Sequence, residues 1–249
     1  MTGIMAITMA GMGSRFTKAG YNVPKYEIEV RGRPLFDWSM LSLEAFRQAG
    51  WRFRFAARTG TGAQDYVRSR CKVLGIDIES LIELESVTDG QATTAFMLSD
   101  TIKGDCPFAV YNIDTFVTPN AMIPPAVSDC AGWIPCFKAP GDAWSFVRLN
   151  GQGKAVEVRE KERISDFATL GLYWFDSMQR YRDLYQTHFA DAHGMEKGER
   201  YIAPMYNRLI EQGLQVRISD IPLDEVGMLG TPEQVEAFAA HPPRFVLAE

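Results

Sequence analysis

Near the start of the chain, Gly11-Met12-Gly13-Ser14-Arg15 and then Pro24-Lys25 gather two glycines, a guanidinium and an ammonium. Gly11 and Gly13 can take φ > 0 and let the backbone approach a ligand with no Cβ in the way. Successive N–H groups in such a turn form an anion nest. Arg15 adds a charged fork and Lys25 a point charge. Together these types suit a polyphosphate. A second candidate is Tyr111-Asn112-Ile113-Asp114-Thr115, where a carboxylate follows an apolar run. An acid just past a buried strand lies at the carboxyl edge of a sheet, where open α/β folds bind ligands. Two phosphates in one site repel each other, so Mg2+ is expected, and it takes only one or two carboxylates beside phosphates and water. Asp114 is the expected ligand. The plainer reading makes it a turn or capping acid.

Other glycine loops fit less well. A dinucleotide fingerprint needs a third glycine where Phe16 stands, and an acid at the end of the second apolar strand, where Arg58 stands. A Walker A loop needs Gly-Lys-Ser/Thr, which is absent here. A merely structural turn is the bland alternative, and the Pro-Lys pair speaks against it.

The elements that must position these residues alternate. Ile4–Met9 reads as a buried strand, Pro34–Ala49 as a helix with Leu35, Trp38, Leu41 and Ala45 on one face, and Trp51–Ala57 as a half-buried strand. Gln64–Leu74 reads as a helix, Ser80–Leu84 as a strand, Gly90–Ile102 as a helix and Phe108–Tyr111 as a strand. The expectation is an α/β fold, a Rossmann-like mixed, mostly parallel sheet flanked by helices. After about Asp129 strands dominate: Trp133–Lys138, Ser145–Leu149, Ala155–Arg159 and Ala168–Phe175, followed by a helix over Ile202–Gln212. Thr231-Pro232-Glu233-Gln234 is a helix start, with Thr as cap and Pro at the first position. One domain over 1–249 is expected, with a nucleotide-binding half (1–128) and an acceptor-binding half (129–249).

Composition narrows the partners. The chain has 249 residues, 46% of them hydrophobic, and a net charge of −5 from 26 Lys+Arg and 31 Asp+Glu. With no basic run, nucleic acid is not expected as a partner. Cys71, Cys106, Cys130 and Cys136 lack metal-ligand spacing and lie far from the histidines, so neither a zinc site nor a disulfide framework is indicated. His188, His193 and His241 read as surface residues. No signal peptide or membrane span is expected, and a soluble cytoplasmic protein follows.

Five segments in order resemble the sugar-phosphate nucleotidyltransferases that make NDP-sugars. They are the Gly11–Arg15 loop with Pro24-Lys25; Thr88-Asp89-Gly90-Gln91-Ala92; Asn112-Ile113-Asp114; Glu160-Lys161 with Ala168-Thr169-Leu170-Gly171-Leu172-Tyr173; and Gly230-Thr231-Pro232-Glu233. Gly141-Asp142-Ala143-Trp144-Ser145-Phe146 and Glu199-Arg200-Tyr201-Ile202-Ala203-Pro204 look like a subgroup found with capsule and surface-polysaccharide genes. Some of that subgroup resemble cytidylyltransferases acting on phosphorylated small molecules other than sugars.

The resemblance implies a GT-A-like nucleotidyltransferase fold and a division of roles. Gly11, Gly13, Ser14 and Arg15 would hold the triphosphate, with Arg15 facing the departing pyrophosphate. Lys25 would stabilise charge on the α-phosphate. Ala10, Gly90 and Gln91 would sit by a pyrimidine base, leaning to CTP, with Asn112 also on the nucleotide side. Asp114 would hold Mg2+. Lys161 would meet the acceptor's phosphate, and Glu160 or Thr169 its polar groups, although Glu160-Lys161 also reads as part of an ordinary half-exposed strand. Many family members carry a second metal-binding Asp where Met228 stands; Asp224 is the substitute considered, with Glu225 beside it. Trp144, Tyr173 and Trp174 read as core or as acceptor pocket. Two alternatives stay open: a GT-A glycosyltransferase consuming NDP-sugars, suggested by the spacing of Asn112 and Asp114, and a catalytically silent nucleotide-binding homologue.

Overall fold

The computed structural model describes residues 2–100, 104–191 and 194–248. In chain order its strands are β1 (Ile4–Thr8), β2 (Glu29–Val30), β3 (Arg33–Pro34), β4 (Arg52–Arg58), β5 (Ile78–Leu84), β6 (Phe108–Asn112), β7 (Thr115–Val117), β8 (Gly132–Lys138), β9 (Ser145–Leu149), β10 (Ala155–Glu160), β11 (Phe167–Thr169), β12 (Leu172–Phe175), β13 (Val216–Asp220) and β14 (Val226–Met228). The helices are α1 (Ser14–Lys18), α2 (Leu35–Leu41), α3 (Glu44–Gln48), α4 (Ala63–Leu74), α5 (Gln91–Ser99), α6 (Met178–His188), α7 (Tyr206–Glu211), α8 (Pro232–Ala240) and α9 (Arg244–Leu247).

Alternation along β1 sets the layers. Met5 and Ile7 enter one apolar cluster, and Ile4 and Ala6 enter another. A strand buried on both faces belongs in the middle of a parallel sheet. There β1 pairs in parallel with β4 on one side and β6 on the other, and β5 extends the sheet from β4. The order is β10-β9-β11-β8-β12-β6-β1-β4-β5, with β13 parallel to β8. From β12 to β10 the path is antiparallel. The expected mixed sheet flanked by helices is therefore present, and β12 joins the two sequence halves by pairing with β6.

A third apolar cluster supports the loops. Phe16, Leu35, Trp38, Phe116, Leu229, Val235 and Phe238 pack together beneath the small β7–β14 ladder. Phe16, the residue that breaks the dinucleotide fingerprint, is 2% exposed. It pins the glycine turn to this cluster, since burying a Phe side chain is worth about 1.5–3 kcal/mol.

Several expectations need correction. The helix expected over Pro34–Ala49 is two helices, α2 and α3. Ser42 Oγ receives the Val117 N–H at 2.9 Å and lies 3.4 Å from Trp38 O, and Leu43 leaves helical geometry. A serine that bonds elsewhere competes with its own helix. The strand expected over Ala168–Phe175 breaks at Gly171, whose φ is +76°. The break lets β11 pair with β8 and β9 while β12 pairs with β6 and β8. The helix expected over Gly90–Ile102 runs Gln91–Ser99, and Ile102 lies outside the described residues. Among the described residues no helix is long and apolar enough to cross a membrane.

Candidate active site

At the carboxyl ends of β1, β4 and β6 opens a cleft of about 690 Å³. Gly11, Gly13, Ser14, Arg15, Lys25 and Asp114 all line it, with Thr8, Tyr26, Arg58, Thr61 and Gly230. Of the two loop glycines only Gly13 takes positive φ, +60°, as it starts α1. At Gly11 a Cβ would meet nothing within 4 Å, so the protein's own packing does not demand glycine there.

Lys25 begins a short 3-10 turn and is held from behind. The Tyr26 ring is buried and its hydroxyl donates to Thr61 O and Oγ1 at 3.4 and 3.3 Å, while the Tyr66 hydroxyl donates to Tyr26 O at 3.2 Å. Burial raises the pKa of both tyrosines, so these hydroxyls stay protonated donors at neutral pH. From this turn Lys25 Nζ reaches Asp114 Oδ1 at 2.6 Å and Ile113 O at 3.3 Å. The lysine side chain is 11% exposed and the aspartate 50%.

Asp114 is placed by its neighbours. Its N–H donates to Asn112 Oδ1 at 3.3 Å, and its carbonyl receives the Leu229 N–H at 2.7 Å. It is thus an acid in a side-chain-closed turn, and it also opens onto the cleft. Asn112 itself does not line the cleft; it orients the turn that carries Asp114. The donor set suits magnesium better than a caged metal: one carboxylate faces the cleft, and among the described residues no group of three or more His, Cys, Asp or Glu assembles. Magnesium held through one carboxylate and substrate phosphates fits that set.

Glu160, Lys161 and Thr169 come together on the antiparallel side. Glu160, 8% exposed, receives the Ser145 hydroxyl and lies 3.6 Å from Lys161 Nζ. Its burial raises the carboxyl pKa, against the lowering pull of Ser145 and Lys161. Lys161 takes φ +50° and bonds through its N–H to Trp144 O at 3.0 Å, and Nζ donates to the Tyr201 hydroxyl at 2.8 Å. Burial alone would lower the Lys161 pKa, but Tyr201, Glu160 and Glu199 outweigh it and leave it raised. Thr169 Oγ1 and the Tyr173 hydroxyl lie 3.1 Å apart in the interior. Both subgroup-like segments frame this cluster: Gly141–Phe146 supplies Trp144 and Ser145, and Glu199–Pro204 supplies Tyr201. Trp144 packs edge-on against Phe137, whereas Trp174 is fully buried as core.

The base-side residues lie elsewhere. Gln91 Nε2 donates to Thr8 Oγ1 at 3.1 Å, which ties α5 to the cleft wall, but Ala10, Gly90 and Gln91 do not line the cleft. Gly90 has φ +146°, and a Cβ there would lie 2.4 Å from Arg200 O. The glycine is required by the chain itself, because Glu199–Arg200 packs onto it. Asp224 stands apart from Asp114: it pairs with Arg244 at 3.1 Å and does not line the cleft. His188 is not a surface residue; it is half-buried at the end of α6, edge-on to Phe189, while His193 lies outside the described residues.

A solved nucleoside-diphosphate-sugar pyrophosphorylase from Vibrio cholerae RC9 superposes with a TM-score of 0.87 at 36% identity, covering 95% of this chain and 99% of that one. This chain belongs to that nucleotidyltransferase family. An inositol-1-phosphate CTP transferase from T. maritima (TM-score 0.74, 14% identity, 98% and 95% covered) shares the fold. So does a CTP:phosphocholine cytidylyltransferase from Streptococcus pneumoniae (0.72, 13%, 96% and 99%). No protein-family model and no curated protein matches the chain.

Met228, where the resemblance leads us to expect a second acid, lies on β14 and pairs with Thr115 on β7, directly after Asp114. Sequence reasoning also passed over Thr8, Tyr26 and Thr61. Only strand register and burial, not residue type, could have pointed to them.

Proposed function

We propose that this nucleotidyltransferase moves a nucleotidyl group from a pyrimidine NTP, with CTP preferred, to a phosphorylated small molecule or sugar phosphate in capsule or surface-polysaccharide synthesis. The observation that carries the reading is the 2.6 Å contact between Lys25 and Asp114. It joins the Lys25 turn to the end of β6 inside the cleft that the glycine turn also lines, where Lys25 can meet a triphosphate's charge directly and Asp114 would do so through magnesium. The acceptor's phosphate oxygen attacks the α-phosphorus, the new P–O bond forms, and the bond to the β-phosphate oxygen breaks to release pyrophosphate. No covalent enzyme intermediate is needed.

In this reading Gly11, Gly13 and Ser14 cradle the triphosphate, Arg15 meets the departing pyrophosphate and Lys25 the α-phosphate. Positioning and charge neutralisation supply the rate. Asp114 would hold magnesium, which neutralises phosphate charge when bound. Asp224, tied to Arg244, is not needed for that task. Lys161 binds the acceptor's phosphate and Glu160 its polar groups, while Thr169 is buried against Tyr173. Residues 1–128 thus serve the nucleotide and 129–249 the acceptor. The CTP preference and the capsule setting are supported by the Gly141–Phe146 and Glu199–Pro204 segments, which border the acceptor cluster.

The test is pyrophosphate release across the common NTPs crossed with phosphorylated sugars, amino acids and polyols. One pyrimidine NTP with one acceptor class should dominate. Hydrolysis or sugar transfer without pyrophosphate release would overturn the reading.

A further inference from the structure

Three arginines stand on β4, and they do different work. Arg52 pairs with Glu79 at 2.6 Å. Arg54 is nearly buried, pairs with the same glutamate at 2.9 Å and donates to Leu98 O and Asp100 O at 3.0 and 2.8 Å. Both hold the edge strand β5, and Arg54 also holds the end of α5. Arg58 is the last residue of β4, half-buried, and among the described residues its side chain makes no hydrogen bond or ion pair. Its carbonyl, by contrast, is fixed by Thr61 Oγ1 at 2.8 Å, and Thr61 is bonded to the hydroxyl of Tyr26, next to Lys25. The backbone is held and the guanidinium is left for something else.

Position says what. β1 and β4 run in parallel with Thr8 opposite Ala56, so Arg58 emerges two residues further on, at the carboxyl edge of the sheet. It lines the cleft with Arg15, Lys25 and Asp114, and those four are the charged residues of its wall. Lys25 and Asp114 neutralise each other, which leaves Arg15 and Arg58 as an excess of positive charge. A magnesium-bound triphosphate still carries net negative charge, and a planar guanidinium suits phosphate oxygens as a bidentate donor. The glycine turn shares this cleft. The ligand group that Arg58 faces there is therefore the polyphosphate.

We propose that Arg58 is a third cationic ligand of the nucleotide's polyphosphate, acting with Arg15 and Lys25. The assignment rests on the nucleotidyl-transfer reading above. Titration calorimetry of the full chain with inorganic pyrophosphate, CTP and CMP, each with magnesium, tests it on wild type, Arg58→Ala and Arg58→Lys. A thermal melt run in parallel checks that each variant folds. Loss of one charge-assisted pair should weaken pyrophosphate and CTP about tenfold or more, change CMP less than about twofold, and leave Arg58→Lys between the two. Equal weakening of CMP would move Arg58 to the nucleoside and overturn the assignment, as would unchanged binding of pyrophosphate and CTP. Wild type that binds none of the three would overturn nucleotidyl transfer itself, and this assignment with it.

Discussion

The nucleotide cleft and the Glu160–Lys161 cluster each hold a lysine beside a carboxylate, yet they are built in opposite ways. Lys25 and Asp114 meet across an open cleft, the acid half exposed and each fixed through its backbone or turn. Glu160 and Lys161 are neighbours in sequence, wired by Ser145 and Tyr201, and the acid is almost wholly buried. The first pair can part at modest cost, because water takes the lysine's place at the half-exposed acid, although the lysine itself is largely covered. The second cannot lose a member without leaving a buried polar group unpaired, at about 1–3 kcal/mol. An open pair suits a partner that brings its own charge and metal. A wired pair suits recognition of a small polar molecule.

The sharpest way to break this contrast is Lys25→Ala. Turnover should fall about 100- to 1000-fold, the scale for losing one donor aimed at developing charge. The melting temperature should fall only slightly, because the half-exposed Asp114 is re-solvated once the lysine is gone. Pyrophosphate-release rates and a melt, read side by side, check both halves. A large drop in melting temperature would show that the open pair is structural.

The joint between the regions comes next. Gly171 carries φ +76°, its carbonyl accepts the Asn112 N–H at 3.3 Å, and a Cβ there would lie 2.5 Å from Asn112 Nδ2. Gly171→Ala should therefore cost about 1–3 kcal/mol of stability, and should lower activity by displacing the side chain that receives the Asp114 N–H. Chemical denaturation with parallel kinetics would show both effects. A variant as stable and active as wild type would mean that the two regions are not joined at this glycine.

Glu160 sharpens the contrast through pH. Its pKa is raised in the folded protein, first by burial, so between the ordinary carboxyl value and the raised one the folded state binds more protons than the unfolded state. Stability from this group is fully present below the ordinary value and declines as pH rises through the raised one. Glu160→Gln should flatten that decline in melts taken across the mildly acidic range. An unchanged slope would place the pH dependence on other groups.

How much of this was legible beforehand differs between the regions in the same way. The glycine turn, Lys25 and Asp114 could be singled out from their types and order, and the structure brings them to one cleft. The break at Gly171 could not, since Ala168–Phe175 is apolar enough for one strand and its end depends on Asn112, far away in sequence. Ser42 likewise ends α2 by binding Val117 N, a partner that no local propensity reveals. Buried Met178, Tyr181, Leu184 and Tyr185 recur at helical spacing in α6, a signal that was present in the sequence and passed over. At Gly90 the requirement for glycine comes from Arg200, whose backbone a Cβ would strike, a contact that no local pattern reveals.

The smallest effect belongs to Asp224. Its only hydrogen-bonded or ionic partner among the described residues is the exposed Arg244, so Asp224→Ala should leave turnover and magnesium dependence unchanged and shift stability by about 0–1 kcal/mol. Steady-state rates at limiting magnesium check this. A steep rise in the magnesium needed would return Asp224 to the metal site.

The account stands most directly on Asp114. The decisive measurement is CTP affinity across a magnesium titration, wild type beside Asp114→Asn. Asparagine keeps the turn but removes the charge that would recruit the ion. Wild-type affinity should climb with magnesium, and the variant's should climb far less and only at high concentration, with its melting temperature modestly lowered as Lys25 loses its ionic partner. Identical magnesium dependence in the two proteins would contradict the account and leave Asp114 as a turn residue.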